Sequence, residues 1–184
     1  RLSDLAPVCF VNGNHEMCVE RHQPERYQKF MDDLKNGGVQ VLHNETAWFW
    51  IDGEKVAVTG YELPWEYYRR FSRRHPSVVG MERSIGKRKQ DAYQILLTHN
   101  PVFFEEYTAW GADFTFAGHL HGGFIRLPYF GGVISPQFQL FPKYDHGLYQ
   151  MDTSSMVVGA GMGNHSGLFR INNPTEVVTV RIKR

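Results

Sequence analysis

Residues 118–123, Gly-His-Leu-His-Gly-Gly, place two histidines one residue apart between glycines. Neutral imidazole nitrogens are common metal ligands, so this spacing could build part of a metal site. In a strand, residues two apart point to the same side. In a tight turn, the flanking glycines would instead let the backbone fold until both rings face one ion. The pair is a weak signal by itself, because a glycine-rich turn can hold two histidines by chance.

Four of the nine histidines share a feature, because each follows a short apolar run typical of a buried strand. They are His15, His99, His119 and His121, and Asn14 beside the first adds an amide oxygen. Consecutive strands of an α/β fold end along one edge of the sheet, where such folds bind ligands. The pattern therefore predicts convergence on one site. Imidazole nitrogens with an amide oxygen suit Mn, Fe, Zn or Ni rather than Ca.

The remaining histidines have no recognisable ligand pattern around them. His22, His43 and His75 are interpreted as structural or merely exposed. His146 and His165 are interpreted in the same way, although their glycine-containing loops make them better candidates for substrate contact.

Apolar patterning indicates the elements that would position these residues. Buried strands that end in polar loops are predicted within residues 7–11, 39–44, 56–60, 94–101 and 113–123, with a hairpin over 47–60 that turns at Asp52-Gly53 and a half-buried strand at 176–184. A helix is predicted over 23–36, where apolar residues recur at helical spacing before Gly37-Gly38. The sequence therefore predicts helices packed on sheets, a mixed α/β class.

Composition excludes several functional classes. The 184 residues suffice for one domain, and a net charge of +1 creates no overall field that would attract nucleic acid. The two cysteines form neither a disulfide framework nor a paired zinc spacing. No apolar run reaches the roughly 18 residues of a membrane-spanning helix.

Three motifs together resemble the last three motifs of the calcineurin-like metallophosphoesterases, in matching order and spacing. They are Gly13-Asn14-His15-Glu16, Leu96-Leu97-Thr98-His99 and Gly118-His119-Leu120-His121-Gly122-Gly123. The longer stretch GHLHGGFIRLPYFGG is similar to a bacterial branch that often carries a membrane anchor, and the resemblance covers residues 7–182. It implies a phosphoester hydrolase with a binuclear metal centre on a β-sandwich flanked by helices, in four α/β/β/α layers.

The resemblance also implies roles by position. Asn14, His99 and His119 would hold one divalent metal (Mn, Fe or Zn), and His121 would belong to the other. His15 would be the catalytic acid that protonates the leaving oxygen or steadies the pentavalent phosphorus, during in-line attack by a metal-bridging hydroxide. An ordinary histidine pKa near 6.5 suits that role. Glu16 is interpreted as a carboxylate at a helix start.

The chain departs from the family pattern before residue 13. It has neither the DxH nor the GDxxD motif that supplies the first metal ligands, and Asp4 is the one acid before Gly13. One metal would keep three of its ligands, and the other metal would keep only His121. We therefore expect this chain to hold at most one metal tightly and to be inactive alone.

Three interpretations follow from this departure. Residues 1–184 are a metallophosphoesterase domain that lacks its N-terminal part within a longer enzyme, any membrane anchor lying upstream. Alternatively, the chain is a remnant that keeps the fold and binds one metal or a phosphate group without turnover, or a second chain completes the site. Absent strands would expose a hydrophobic sheet edge, so we expect low stability or aggregation of the isolated chain.

Residues 65–90 combine eight of the 20 basic residues with interleaved aromatic residues. One interpretation is an amphipathic helix with its aromatic side chains in the core. The other is an interfacial patch for anionic lipid, giving peripheral membrane contact. The branch resemblance makes a lipid-linked phosphoester substrate plausible, whereas the near-zero net charge makes nucleic acid a weaker candidate.

Overall fold

The computed structural model describes residues 1–69, 74–123, 125–127, 131–134, 140–163 and 170–183. The helices in these ranges are α1 (Asn14–His22), α2 (Pro24–Asn36), α3 (Val78–Ile85) and α4 (Phe104–Trp110), with 3-10 turns at Leu2–Asp4, Trp65–Tyr68 and Pro101–Phe103. The strands are β1 (Val8–Phe10), β2 (Val39–Val41), β3 (Thr46–Ile51), β4 (Glu54–Tyr61), β5 (Tyr93–Thr98), β6 (Phe114–Ala117), β7 (Arg126–Leu127), β8 (Gly131–Gly132), β9 (Gly147–Met151) and β10 (Ser154–Val158).

Among the described residues, the largest sheet has six strands in the order β3-β4-β5-β6-β10-β9. The four central strands run parallel, and β3 and β9 pair antiparallel to them at the two edges. A separate parallel pair, β1 and β2, forms a small sheet, and β7 and β8 form a short antiparallel pair. Because β4, β5 and β6 are parallel, their C-terminal ends lie along one edge, as the sequence predicts.

The layers stack as α/β/β/α. One face of the small sheet packs on α1 and α2, through a cluster that includes Phe10, Tyr27, Met31 and Val41. Its other face packs on the large sheet, through a cluster that includes Cys9, Leu42, Ala47, Val56 and Val58. The opposite face of the large sheet packs on α3 and α4, through a cluster that includes Leu96, Met81, Ile85, Tyr107 and Trp110. The predicted mixed α/β fold with helices flanking two sheets is confirmed.

Two local predictions are confirmed by backbone geometry. Asp52 and Gly53 both have positive φ, at 50° and 81°, and pair Ile51 with Glu54 in a two-residue hairpin turn. The helix predicted over 23–36 is α2, which begins at Pro24, where the missing N–H would be unsatisfied in any case.

One helix and one strand differ from the prediction. Apart from the helix start assigned to Glu16, no helix is predicted over residues 14–22, where the structure has α1; α1 has no buried side chain, so it carries little of the apolar periodicity that indicates a helix. The strand predicted at 176–184 is absent over 176–183, and Arg184 lies outside the described residues. A cavity of about 610 Å³ separates that segment from the face of the large sheet near Phe114 and Val157. Alternation alone does not make a strand where no neighbouring strand supplies hydrogen bonds.

The aromatic part of the 65–90 segment faces inward. Tyr67 packs edge-on against Phe103, with ring centroids 5.6 Å apart, and Tyr68 is 8% exposed. Over the described positions the segment is a 3-10 turn and then α3, and residues 70–73 lie outside the described residues, so a continuous amphipathic helix is not observed. None of the helices in the described ranges has the length and hydrophobicity needed to cross a bilayer.

Candidate active site

The junction between β1 and α1 presents the first side chain of the site. Asn14 is the first residue of α1, and the backbone N–H of Gly13 donates to Glu16 Oε2 at 2.9 Å. Glu16 therefore caps the helix start, the role predicted for it. A Cβ on Gly13 would lie 2.9 Å from three atoms of the His99 ring, so this ring lies directly against the glycine backbone.

Three side chains from distant parts of the sequence meet at the edge of the large sheet. His99 follows β5, and its Nε2 lies 2.9 Å from Asn14 Oδ1. His119 follows β6, and its Nδ1 lies 3.1 Å from the same oxygen. The two imidazole rings are edge-on, with centroids 5.0 Å apart. The structure thus brings Asn14, His99 and His119 together, as the strand-end pattern predicts.

The two neighbouring histidines lie in a turn rather than in a strand. β6 ends at Ala117, and His119 and His121 both have left-handed φ angles, of 65° and 50°. Side chains with a Cβ rarely adopt this region, and such strain concentrates at functional sites. Gly122 and Gly123 continue the left-handed course without that cost, and the fully buried Leu120 anchors the turn.

The site is enclosed and keeps His99 neutral. His119 is 6% exposed, and the Tyr68 ring lies with its centroid 5.1 Å from that of His119 and 6.1 Å from that of His99. Burial, together with the smaller effects of the nearby charges of His121 and His15, lowers the pKa of His99 to about 4. A neutral ring keeps a nitrogen lone pair available to a metal at neutral pH.

The two distances from Asn14 Oδ1 are compatible with donors arranged around one transition-metal ion. Ligand atoms that are each about 2.1 Å from an ion, at right angles to one another, lie roughly 3 Å apart. The two distances from Asn14 Oδ1, 2.9 and 3.1 Å, match that spacing. Within the described ranges, no group of three or more His, Cys, Asp or Glu side chains could hold a metal ion.

The other two predicted residues lie beside this trio. His15, the second residue of α1, is exposed and borders a cavity of about 220 Å³ between α1 and α2. The Nδ1 atom of His121 lies 3.4 Å from Nη2 of Arg170. Both histidines are close enough to His99 to lower its pKa by their charge.

A polar network behind the trio was not predicted. Glu62 follows β4 and accepts from the backbone N–H of Asn12 at 3.2 Å and lies 2.9 Å from His43 Nδ1. Asn12, which is buried, donates to the Tyr27 hydroxyl at 2.6 Å. These contacts fix the loop that leads to Asn14. Glu62 stands directly after a strand, so the same strand-end signal could have identified it.

Comparison with known proteins gives a consistent set of relatives. The uncharacterized protein YpbG of Bacillus subtilis (strain 168) is 30% identical over 129 residues, 68% of this chain and 42% of that protein. The uncharacterized metallophosphoesterase YkuE of the same organism is 30% identical over 82 residues, 45% of this chain and 28% of that protein. Phosphodiesterase YaeI of Escherichia coli (strain K12) is 24% identical over 181 residues, 98% of this chain and 60% of that protein.

The chain thus spans 28–60% of the lengths of these three relatives. No protein-family model matches the chain, and no solved structure matches it significantly.

Proposed function

This chain belongs to the calcineurin-like metallophosphoesterase family, and from that premise we propose that it is the C-terminal part of a metal-dependent phosphoester hydrolase. Membership of this family implies a phosphoester substrate and divalent metal cofactors in general. In this proposal residues 1–184 form one metallophosphoesterase domain without its N-terminal portion.

The observation that carries the proposal is the convergence of Asn14, His99 and His119. The His99 and His119 nitrogens lie 2.9 and 3.1 Å from Asn14 Oδ1 in a partly buried setting, although they are 85 and 105 residues away from Asn14 in the sequence. We assign these three residues to one divalent cation, of manganese, iron or zinc. Such a cation, when bound, withdraws charge from a phosphoryl oxygen as a Lewis acid.

The chain's own residues contribute binding and proton transfer. His15 lies at the start of α1, where the helix dipole and the backbone N–H groups favour a phosphate group. From there its imidazolium would give a proton to the leaving oxygen as general acid. His121 would serve the second cation, whose other ligands this proposal assigns to DxH and GDxxD motifs in polypeptide that precedes residue 1.

We also propose a lipid-linked phosphoester substrate and peripheral membrane contact through residues 65–90. Their support is limited to basic side chains such as Arg69 and Arg74, which are exposed, because Tyr67 and Tyr68 pack inward. Replacing Arg69 and Arg74 with alanine should reduce sedimentation with phosphatidylserine vesicles and leave neutral vesicles unaffected. Unchanged sedimentation would remove the membrane contact from the proposal.

The metal centre is tested by titrating the purified protein with Mn²⁺, Co²⁺ and Zn²⁺ by calorimetry and by measuring hydrolysis of bis-p-nitrophenyl phosphate. We expect one tightly bound ion per chain, lost in Asn14→Ala and retained in Asn36→Ala, whose side chain is exposed at the end of α2. No binding would contradict the proposed centre, and two tight ions would contradict the ligand count. This chain alone is expected to show no turnover; a longer protein that carries the DxH and GDxxD motifs and still shows no turnover would contradict the proposed hydrolase.

A further inference from the structure

The turn that carries His119 and His121 is held by one side chain from the C-terminal segment. Asn173 is 4% exposed, and its Nδ2 donates to the backbone carbonyl oxygens of His121 and, at 2.7 Å, of Gly123. Both hydrogens of a single amide group are thus used across one turn. A buried amide with both hydrogens satisfied stabilises the backbone arrangement that aligns its two acceptors.

The fit between Asn173 and the turn is close. A Cβ on Gly122 would lie 2.8 Å from Asn173 Oδ1, so the amide lies flat against the glycine backbone. Gly122 and Gly123 have φ angles of 69° and 81°, so the backbone is left-handed at three consecutive residues from His121 to Gly123. The backbone carbonyl groups of His121 and Gly123 therefore point toward the Asn173 amide. A different backbone conformation of the turn would direct them away from it.

Other contacts fix the segment that bears Asn173 beside the site. The backbone N–H of Arg126 donates to Ile171 O at 3.1 Å, and Ile125 pairs with Ile171. Arg170 Nη2 donates to Ala160 O at 2.8 Å and lies near the His121 ring. The segment thus contacts both the backbone and the ring of His121.

We propose that Asn173 is a positioning residue for the metal centre, holding the turn so that the His119 and His121 imidazoles keep their ligand orientation. A left-handed conformation at two histidines is unfavourable by itself. The two hydrogen bonds of Asn173 offset that cost. This inference rests on the proposed function, because it takes the Asn14, His99 and His119 trio as the metal site.

The test compares Asn173→Asp with Asn172→Asp. Aspartate keeps the size of Asn173 but places oxygens against two carbonyl oxygens, so both hydrogen bonds to the turn are lost. Asn172 is exposed, and its φ of 52° also suits aspartate. Asn172→Asp therefore makes the same charge change at the residue next to Asn173 and serves as the control. The measurements are Co²⁺ affinity, the visible Co²⁺ spectrum, the histidine ring NMR signals of the metal-free protein, and the thermal midpoint.

We expect Asn173→Asp to weaken Co²⁺ binding about 10–100-fold, the usual effect of removing support behind a ligand. The His119 and His121 ring signals should shift or broaden, while the control stays within twofold in affinity with unchanged signals. Asn173→Ala, which adds no charge, gives the same comparison if the aspartate variant does not fold.

Wild-type affinity and ring signals in a folded Asn173 variant would overturn the proposal. Failure of both variants to fold would also overturn it, because Asn173 would then hold the whole fold rather than the turn. If the wild-type protein binds no Co²⁺, the proposed function fails, and the ring signals still decide whether Asn173 holds the turn.

Discussion

Gly13 offers the sharpest test of the site geometry. A methyl group at this position would lie 2.9 Å from the Cε1, Nδ1 and Nε2 atoms of His99, whereas ordinary van der Waals contact begins at 3.4 Å. The ring must therefore retreat by at least about 0.5 Å, which exceeds the tolerance of about 0.2 Å on metal–ligand distances. We expect Gly13→Ala to weaken metal binding about 10–100-fold, the usual scale when a ligand loses the support that orients it.

The same substitution should have a small effect on stability. The clash involves the far end of one side chain, so overpacking should cost about 1 kcal/mol, the low end of the usual range. Calorimetry with Mn²⁺ or Zn²⁺ and urea unfolding separate the two effects. Gly163→Ala is the matched control, because a Cβ there meets nothing within 4 Å. Wild-type metal affinity in Gly13→Ala would refute the assignment of His99 as a ligand packed against this glycine.

Three further substitutions test other parts of the fold. The folded-state pKa of His99 is about 4 instead of 6.5, so between these pH values the unfolded chain binds one more proton than the folded chain. The free energy of unfolding should therefore fall by up to about 3 kcal/mol as pH drops from 6.5 to 4. His99→Gln should remove that fall in urea titrations of the metal-free protein. Gly60→Ala places a Cβ 2.3 Å from Leu42 O and should cost about 3 kcal/mol or more by urea unfolding. Tyr27→Phe removes the 2.6 Å hydrogen bond from the Asn12 amide and leaves it the longer 3.4 Å contact with His43 Nδ1, so it should cost about 1 kcal/mol.

Each of these predictions has a contrary outcome. An unchanged pH dependence in His99→Gln would assign the loss of stability to other groups, and His22→Gln, at an exposed helix end, serves as the control. A stable Gly60→Ala protein would mean that β4 and the chain at Leu42 can separate. An unchanged stability of Tyr27→Phe would mean that the Asn12 amide finds another partner.

The strand-end pattern predicted the site because parallel strands impose a common direction. Once β5 and β6 pair in parallel, His99 and the 118–123 turn must emerge at the same edge. No pattern of this kind marks α1, whose nine residues contain no buried side chain. Its position is set by contacts with the neighbouring helix and by the cap at Gly13, which are not visible as periodicity.

Other parts of the site depend on contacts that local sequence does not encode. Asn173 lies 52 residues after His121, and its amide contacts a backbone whose left-handed course is itself a product of folding. Tyr68 was interpreted within a basic segment, but its ring is fixed by packing against His99 and His119. Pairings of this kind follow from the completed tertiary structure, so residue type and spacing do not predict them.

The convergence of Asn14, His99 and His119 also has a consequence for the order of folding. The Asn14 oxygen meets nitrogens that are 85 and 105 residues away along the chain, so closing these loops costs entropy that only late tertiary contacts offset. A metal ion should therefore find no preformed ligand set in the unfolded or early collapsed chain. We expect bound metal to slow unfolding while leaving the refolding rate nearly unchanged, since the ion stabilises contacts that form after the transition state.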